Sequence, residues 1–307
     1  MALKNAPLVM VWREVSSLAN AESIAANTLG WSEIGRNKYA VMYDAGSIVG
    51  AYWARADFRA SATAAGCSAN TSLSSLDHNP ASDFLVRVDD FDRAARSVKA
   101  ITGRQAVSVS RDRDSISLVD ADGSYSTCLA PAHRIALAQS QMSFVAAVSG
   151  GLRPATASMP GAYIAHRLMV SDLDRSVRFY KNTLGFEPVS LDQGEAIFKC
   201  GLASLVLRPE PASGLVLSLE RAGRLKTDSL IFHVDNPHGT VDRLRRSGVE
   251  IPRGVVDSVH GSGAEFLDPD GHRLGVWHQP SSPGEIDYFP VLRRILSQTS
   301  HRAAAVA

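Results

Sequence analysis

The sequence predicts an α+β protein built from four repeats of one unit, a strand followed by a helix and further strands. Two observations carry this expectation. The first is a shared rhythm: Val15-Ser16-Ser17-Leu18, Val88-Asp89-Asp90-Phe91, Val170-Ser171-Asp172-Leu173 and Val234-Asp235-Asn236-Pro237 each follow an apolar strand-like run and precede a helix-like one. Self-similarity at intervals marks a repeated architecture. The second is the run Phe266-Leu267-Asp268-Pro269-Asp270-Gly271-His272-Arg273-Leu274-Gly275-Val276-Trp277. Proline presets one turn angle and glycine accepts a positive one, so Asp-Pro-Asp-Gly between alternating apolar runs reads as a hairpin turn.

Each unit has its own signals. Ser, Asp and Asn at the four junctions can accept hydrogen bonds from the exposed amides of a first helical turn. In the first unit the helix closes in Asn27-Thr28-Leu29-Gly30-Trp31, an ending that Asn182-Thr183-Leu184-Gly185-Phe186 repeats in the third. Helical spacing places Ala94, Val98 and Ile101 on the second helix, closed by Gly103. Val177, Tyr180 and Leu184 mark the third, closed by Gly185, and Val241 and Leu244 the fourth, closed by Gly248. Leu118 to Tyr125 echoes the hairpin at Phe266. The chain therefore divides into two homologous halves: an N-terminal domain over 1–130 and a C-terminal domain over 161–280. Between them, 131–160 holds a connecting helix (Ala132 to Val148) and a linker from Gly150 to Pro160. Over 281–307 we expect a short amphipathic helix, Tyr288 to Ser297, and a frayed tail from His301. Gly46 to Cys67 fits no element.

Bulk composition narrows the partners. Lys and Arg number 32 against 31 Asp and Glu, a formal charge of +1, so nothing pulls the chain toward nucleic acid or an anionic membrane. A small molecule is the expected partner. Cys67, Cys128 and Cys200 are scattered and without metal-type spacing, which favours reduced thiols and a cytoplasmic protein. No apolar stretch is long enough to span a bilayer. Phosphate-binding glycine loops and nucleophile elbows are absent from the sequence, so no nucleotide cofactor or serine triad is implied.

The segments His166 to Phe186 and Phe266 to Trp277 resemble the vicinal oxygen chelate superfamily of glyoxalases, bleomycin-resistance proteins and extradiol dioxygenases. The resemblance implies four βαβββ modules in two paired domains, each with curled mixed β-sheets around a cavity and helices outside. The tandem form is similar to two-domain extradiol dioxygenases, whose C-terminal pair carries the chemistry. The resemblance also implies Fe(II) or Mn(II) on two histidines and a carboxylate. Those positions hold Ala165, Ser229 and Gly275 here, with Met10, Asp83 and Thr127 as counterparts in the first half. His166 is one step from Ala165, and alternation turns it to the other face unless a bulge re-registers the strand. We therefore expect no metal and no other cofactor. The alternative is a metal-dependent ring-cleaving dioxygenase with His166, His233 and Glu265 as ligands.

His260, ahead of the hairpin, resembles the acid/base histidine of extradiol enzymes. It and His233 are the candidate catalytic residues. Alternation places Tyr163, Ala165, Arg167, Ser229, Arg273, Gly275 and Trp277 on cavity-facing positions as candidate ligand-binding residues. Each also has a plain structural reading: core packing for Trp277, ion pairs for the arginines, a backbone-satisfied rim histidine for His233. Three functions remain open: a metal-free protein binding a small aromatic or apolar molecule in the C-terminal cavity, with or without transforming it; the dioxygenase; and a structural or partner-binding protein. A homodimer is compatible with the resemblance.

Overall fold

The computed structural model describes residues 2–15, 17–54, 82–88, 108–112, 115–119, 125–129, 161–191, 194–209, 228–282 and 284–306. The first unit contributes β1 (Leu8–Val15), β2 (Ser32–Arg36), β3 (Ala40–Asp44) and β4 (Val49–Ala54). The second contributes β5 (Ser82–Val88), β6 (Ser108–Asp112), β7 (Ser115–Val119) and β8 (Tyr125–Leu129). The third has β9 (Gly161–Val170), β10 (Pro188–Leu191), β11 (Ala196–Cys200) and β12 (Ala203–Pro209), and the fourth β13 (Ser229–His233), β14 (Val256–Ser258), β15 (Gly261–Leu267) and β16 (Arg273–His278). Helix α1 (Leu18–Glu22) follows β1, α2 (Leu173–Arg178) follows β9, α3 (Pro237–Arg246) follows β13, and α4 (Phe289–Val306) ends the chain. The expected helix around Ala94 to Ile101, the connecting helix and linker, and Gly46 to Cys67 beyond residue 54 lie outside the described residues.

The junction residues of the third and fourth units act as expected, and those of the second, Asp89 and Asp90, lie outside the described residues. Asp172 accepts from the Arg175 amide at 2.9 Å and Asn236 from the Gly239 amide at 2.8 Å, with Pro237 in the first turn. Both α1 and α2 run on into a wider π-type turn, through Thr28 and Leu184 respectively. The second ends on Gly185, whose φ of 90° is left-handed.

Within every unit the first strand lies parallel beside the last, and the remaining strands form an antiparallel meander. The four units do join in two pairs, but not half by half. β1 runs antiparallel to β13, with Met10 opposite Ile231, and β5 runs antiparallel to β9, with Leu85 opposite Ala165. The first sheet therefore reads β14-β15-β16-β13-β1-β4-β3-β2 and the second β10-β11-β12-β9-β5-β8-β7-β6. Each sheet takes one unit from each half of the chain, so 1–130 and 161–280 are not the structural pairs. The repeat specifies a unit with a first strand free to pair. Side chains at the seam choose which partner it meets.

One face of each sheet packs with the helices into a continuous core that includes Leu29, Tyr43, Phe84, Tyr163, Tyr180, Phe198, Phe232, Leu244 and Phe266. The opposite, inner faces form two separate apolar clusters. On the first sheet that cluster is completed by α4 and the residue before it, with Tyr288, Leu292 and Ile295 buried against strands carrying Val9, Met10, Val49, Ala51, Ile231 and Trp277. The final helix extends through Val306 instead of fraying at His301. Among the described residues no helix is long and apolar enough to cross a membrane.

The Asp-Pro-Asp-Gly run is a hairpin turn between β15 and β16, with Gly271 at φ 88°. It is also a clasp between the sheets. Asp270 accepts from the Ser171 amide and hydroxyl at 3.0 and 2.6 Å, from Ser176 Oγ at 2.7 Å and from Arg175 Nη2 at 2.7 Å. Asp268 accepts from the Tyr180 hydroxyl at 2.9 Å. Asp270→Ala should leave these donors without their acceptor and destabilise the protein by about 1–3 kcal/mol. Urea unfolding followed by tryptophan fluorescence measures this, and an unchanged midpoint would show that the clasp is dispensable.

Candidate functional site

Strand alternation sorts the candidate residues between two inner faces. On β13, Leu230 and Phe232 belong to the helix-side core, so Ser229, Ile231 and His233 share the other face. On β16, Leu274 and Val276 do the same and leave Arg273, Gly275 and Trp277 inward. These residues share one face of the first sheet. Trp277 meets the tilted ring of Tyr288, just before α4, with centroids 6.0 Å apart, and donates from Nε1 to the His260 carbonyl at 3.0 Å. His260 sits in the exposed turn joining β14 to β15. Its backbone holds Trp277.

Ala165 and Arg167 face the inner side of the second sheet, where Leu85, Ile164, Ala165, Ile197 and Val206 form the apolar cluster. The expected single C-terminal cavity thus separates into two faces on different sheets. Tyr163 joins neither. The register of β5 against β9 slips between Leu85 and Val86, so Ile164 and Ala165 both turn inward and Tyr163 is thrown into the helix-side core. The bulge invoked for His166 instead redirects its neighbour.

His166 is fully buried on that core side. Its Nδ1 lies 3.1 Å from the Tyr163 hydroxyl, and its Nε2 is 3.8 Å from Asp228 with no hydrogen-bond partner. Asp228 is gripped by Arg13, Nε to Oδ1 at 2.8 Å and Nη2 to Oδ2 at 2.6 Å, and by Ser82 Oγ at 2.8 Å. Burial pushes the His166 pKa down to about 3 despite the attraction of Asp228. Burial alone would raise Asp228, but Arg13, His166 and Ser82 outweigh it and hold the carboxyl at about 2. This is a neutral imidazole beside an ion pair. Neither residue is available to a ligand.

His233 sits at the end of β13 and is mostly buried. Its Nε2 lies 2.6 Å from Gln279 Oε1, and its ring is 5.5 Å from that of His278. Burial lowers its pKa, against the opposing hydrogen bond to Gln279. Glu265 lies opposite Gly275 on β15, its pKa raised by burial against the pull of Arg273 and Arg253. His166, His233 and Glu265 do not converge, so the ligand set of the dioxygenase alternative is not assembled. The group that does gather around His233 is Asp235 and His278. Sequence reasoning missed both, Asp235 because it read as part of a helix cap and His278 because it follows the hairpin motif.

Four repeated units joined in two sheets agree with the resemblance to the vicinal oxygen chelate superfamily, and the family model covers the C-terminal part of the chain. Residues 162–276 match the model of the Glyoxalase/Bleomycin resistance protein/Dioxygenase superfamily. Among solved structures, glyoxalase I from Zea mays is 12% identical with a TM-score of 0.56, over 88% of this chain and 92% of that one. A candidate dioxygenase from Bacillus subtilis is 12% identical with a TM-score of 0.56, over 97% of each chain. At such identity the likeness is one of fold. No curated protein matches the chain in sequence.

Among the described residues, the side chains at the positions where the resemblance implies metal ligands include no histidine and no carboxylate. On the first sheet these are Met10, Ser229 and Gly275, and a Cβ on Gly275 would stand 2.7 Å from Ile231 Cδ1. A carboxylate side chain there has no room unless Ile231 moves. On the second sheet Ala165 brings no donor, and the side chains of Asp83 and Thr127 lie outside the described residues.

The buried imidazole makes stability depend on pH. Unfolded His166 binds a proton below about pH 6.5, whereas folded His166 stays neutral down to about 3, so stability falls as pH drops through that window. Asp228 adds its own loss only below about pH 4, its ordinary carboxylate range. Between pH 7 and 5 the protein should lose stability by up to about 2 kcal/mol from this one group. His166→Gln should flatten that slope. Urea midpoints at the two pH values check it, and equal slopes in both proteins would refute the assignment.

Proposed function

We propose that this protein holds a small, largely apolar aromatic molecule against the inner face of the second sheet, without a metal at the superfamily's position, and that the inner face of the first sheet serves structure alone. The asymmetry of the two faces carries this reading. One is closed by Leu292 and Ile295 of α4 and by Tyr288 just before it. The other has a buried apolar floor of Leu85, Ile164, Ala165, Ile197 and Val206 over which none of the described helices contributes a side chain, with Arg167 on the same face. Apolar floors with few polar groups are the usual lining of small-molecule sites. Ala165 stands where a metal-binding histidine would project, and its short side chain supports occupation by a ligand ring.

The ligand face thereby moves from the C-terminal half to the sheet shared by the second and third units. Binding is favoured over acid/base chemistry because His233 and His260 belong to the fourth unit and the other sheet. The test is equilibrium titration with 1-anilinonaphthalene-8-sulfonate, an aromatic anion that fluoresces in apolar surroundings. Saturable one-to-one binding should weaken at least tenfold in Ala165→Leu, which fills the floor. Ile197→Ala, which enlarges it, should bind as well or better. No saturable binding, or equal affinity in all three proteins, would overturn the reading.

A further inference from the structure

We propose that His233, Asp235 and His278 form a mononuclear site for a borderline divalent transition ion of the zinc(II) type, at the rim of the first sheet and away from the superfamily's metal position. One donor atom from each residue lies within 4.8 Å of the other two. Two imidazoles and one carboxylate suit zinc, cobalt or nickel better than calcium or magnesium, which favour all-oxygen shells. Three protein ligands leave a coordination position for water or a small anion.

The orientation of the two rings is the stronger argument. His278 Nδ1 lies 3.1 Å from the Val234 carbonyl, an acceptor only, so Nδ1 carries the proton and Nε2 keeps its lone pair. His233 Nε2 lies 2.6 Å from Gln279 Oε1, which likewise fixes the proton on Nε2 and frees Nδ1. Histidines that bind metals characteristically donate their second ring nitrogen to a fixed oxygen acceptor, which sets tautomer and ring plane. Both rings here are held in that way without an ion.

The backbone supports the same placement. β13 and β16 run parallel, with His233 opposite Trp277, so the residues just beyond that rung emerge together where the ladder ends. The Val234 amide donates to the Trp277 carbonyl at 3.0 Å and closes the last rung. His233 is four residues along β13 from Ser229, about 13 Å at the usual strand rise, so the two positions are separate. Zinc at about 2.0–2.1 Å from each donor requires donors roughly 3.3 Å apart, so binding must draw the three together. Asp235 is exposed and has the room to move.

The site is independent of the ligand-binding reading, since it lies on the other sheet. The test uses untagged full-length protein, dialysed against chelator and titrated with cobalt(II) and zinc(II). One cobalt(II) per chain should bind, with d–d absorption of a low-coordinate ion, and zinc(II) should displace it. His278→Ala should abolish the signal and Asp235→Asn should weaken affinity at least tenfold. Asp235 is exposed, so its variant keeps the test valid even if His278→Ala folds poorly. Zinc(II) should raise the melting temperature of the native protein but not of Asp235→Asn. Absence of stoichiometric binding, or binding unchanged in Asp235→Asn, would overturn the proposal.

Discussion

Asp228 and Arg13 are a pair of opposite charges removed from water at a place where all four units meet. Arg13 stands on β1 of the first unit and Asp228 immediately precedes β13 of the fourth. Ser82 and Phe84 of the second unit and Tyr163 and His166 of the third close around them, with the guanidinium 3.6 Å above the Phe84 ring. Such a pair adds little net stability over a well-packed apolar substitute, but losing one partner strands a buried charge at a cost of about 3–5 kcal/mol. That cost falls on wrong pairings too. A seam that set the first unit beside the second would part Arg13 from its carboxylate. The ion pair thus accounts physically for a sheet that joins the first unit to the fourth.

With the seams set, the two inner faces were free to diverge. In the first sheet α4 lies over the strands, anchored by Arg294, which donates to Asp44 at 2.7 Å and to the Gly46 carbonyl at 2.8 Å. Burying Leu292 and Ile295 contributes about 1.5–3 kcal/mol each, which favours closure over an open cavity. A closed apolar face cannot also keep imidazoles and a carboxylate in metal-binding positions, because unpaired polar groups there would lose their hydration. Met10, Ile231 and Gly275 are the packing solution to that conflict.

Much of this was legible in the sequence. The junction motifs marked the caps, the Asp-Pro-Asp-Gly turn marked a hairpin, and period-two alternation placed Ser229, His233, Arg273, Gly275 and Trp277 on one face. The errors have identifiable physical sources. Tyr163 was misplaced by a one-residue bulge, which has no compositional signature in Tyr163-Ile164-Ala165-His166. The unit pairing was invisible because it depends on a contact between Arg13 and Asp228, 215 residues apart. The role of the Asp270 carboxylate was hidden for the same reason: its partners lie on α2 and the residues just before it. Periodicity reports which face a side chain takes. It does not report what arrives to cover that face.

The rim group at His233 shows how polar chemistry can persist on strands whose middle has become apolar. Inside the sheet, backbone carbonyls are consumed by the ladder, and an inward imidazole has nothing fixed to donate to. At the strand ends the ladder stops, and the carbonyl of Val234 and the side chain of Gln279 become available to orient a ring. Water reaches Asp235 on one side while Trp277 packs on the other. A residue there can therefore stay charged or keep a directed lone pair without destabilising the core beneath it. The apolar packing around Gly275 and the gathering of His233 and His278 at the strand ends are thus two consequences of one constraint: polar side chains are kept where hydration or backbone partners remain.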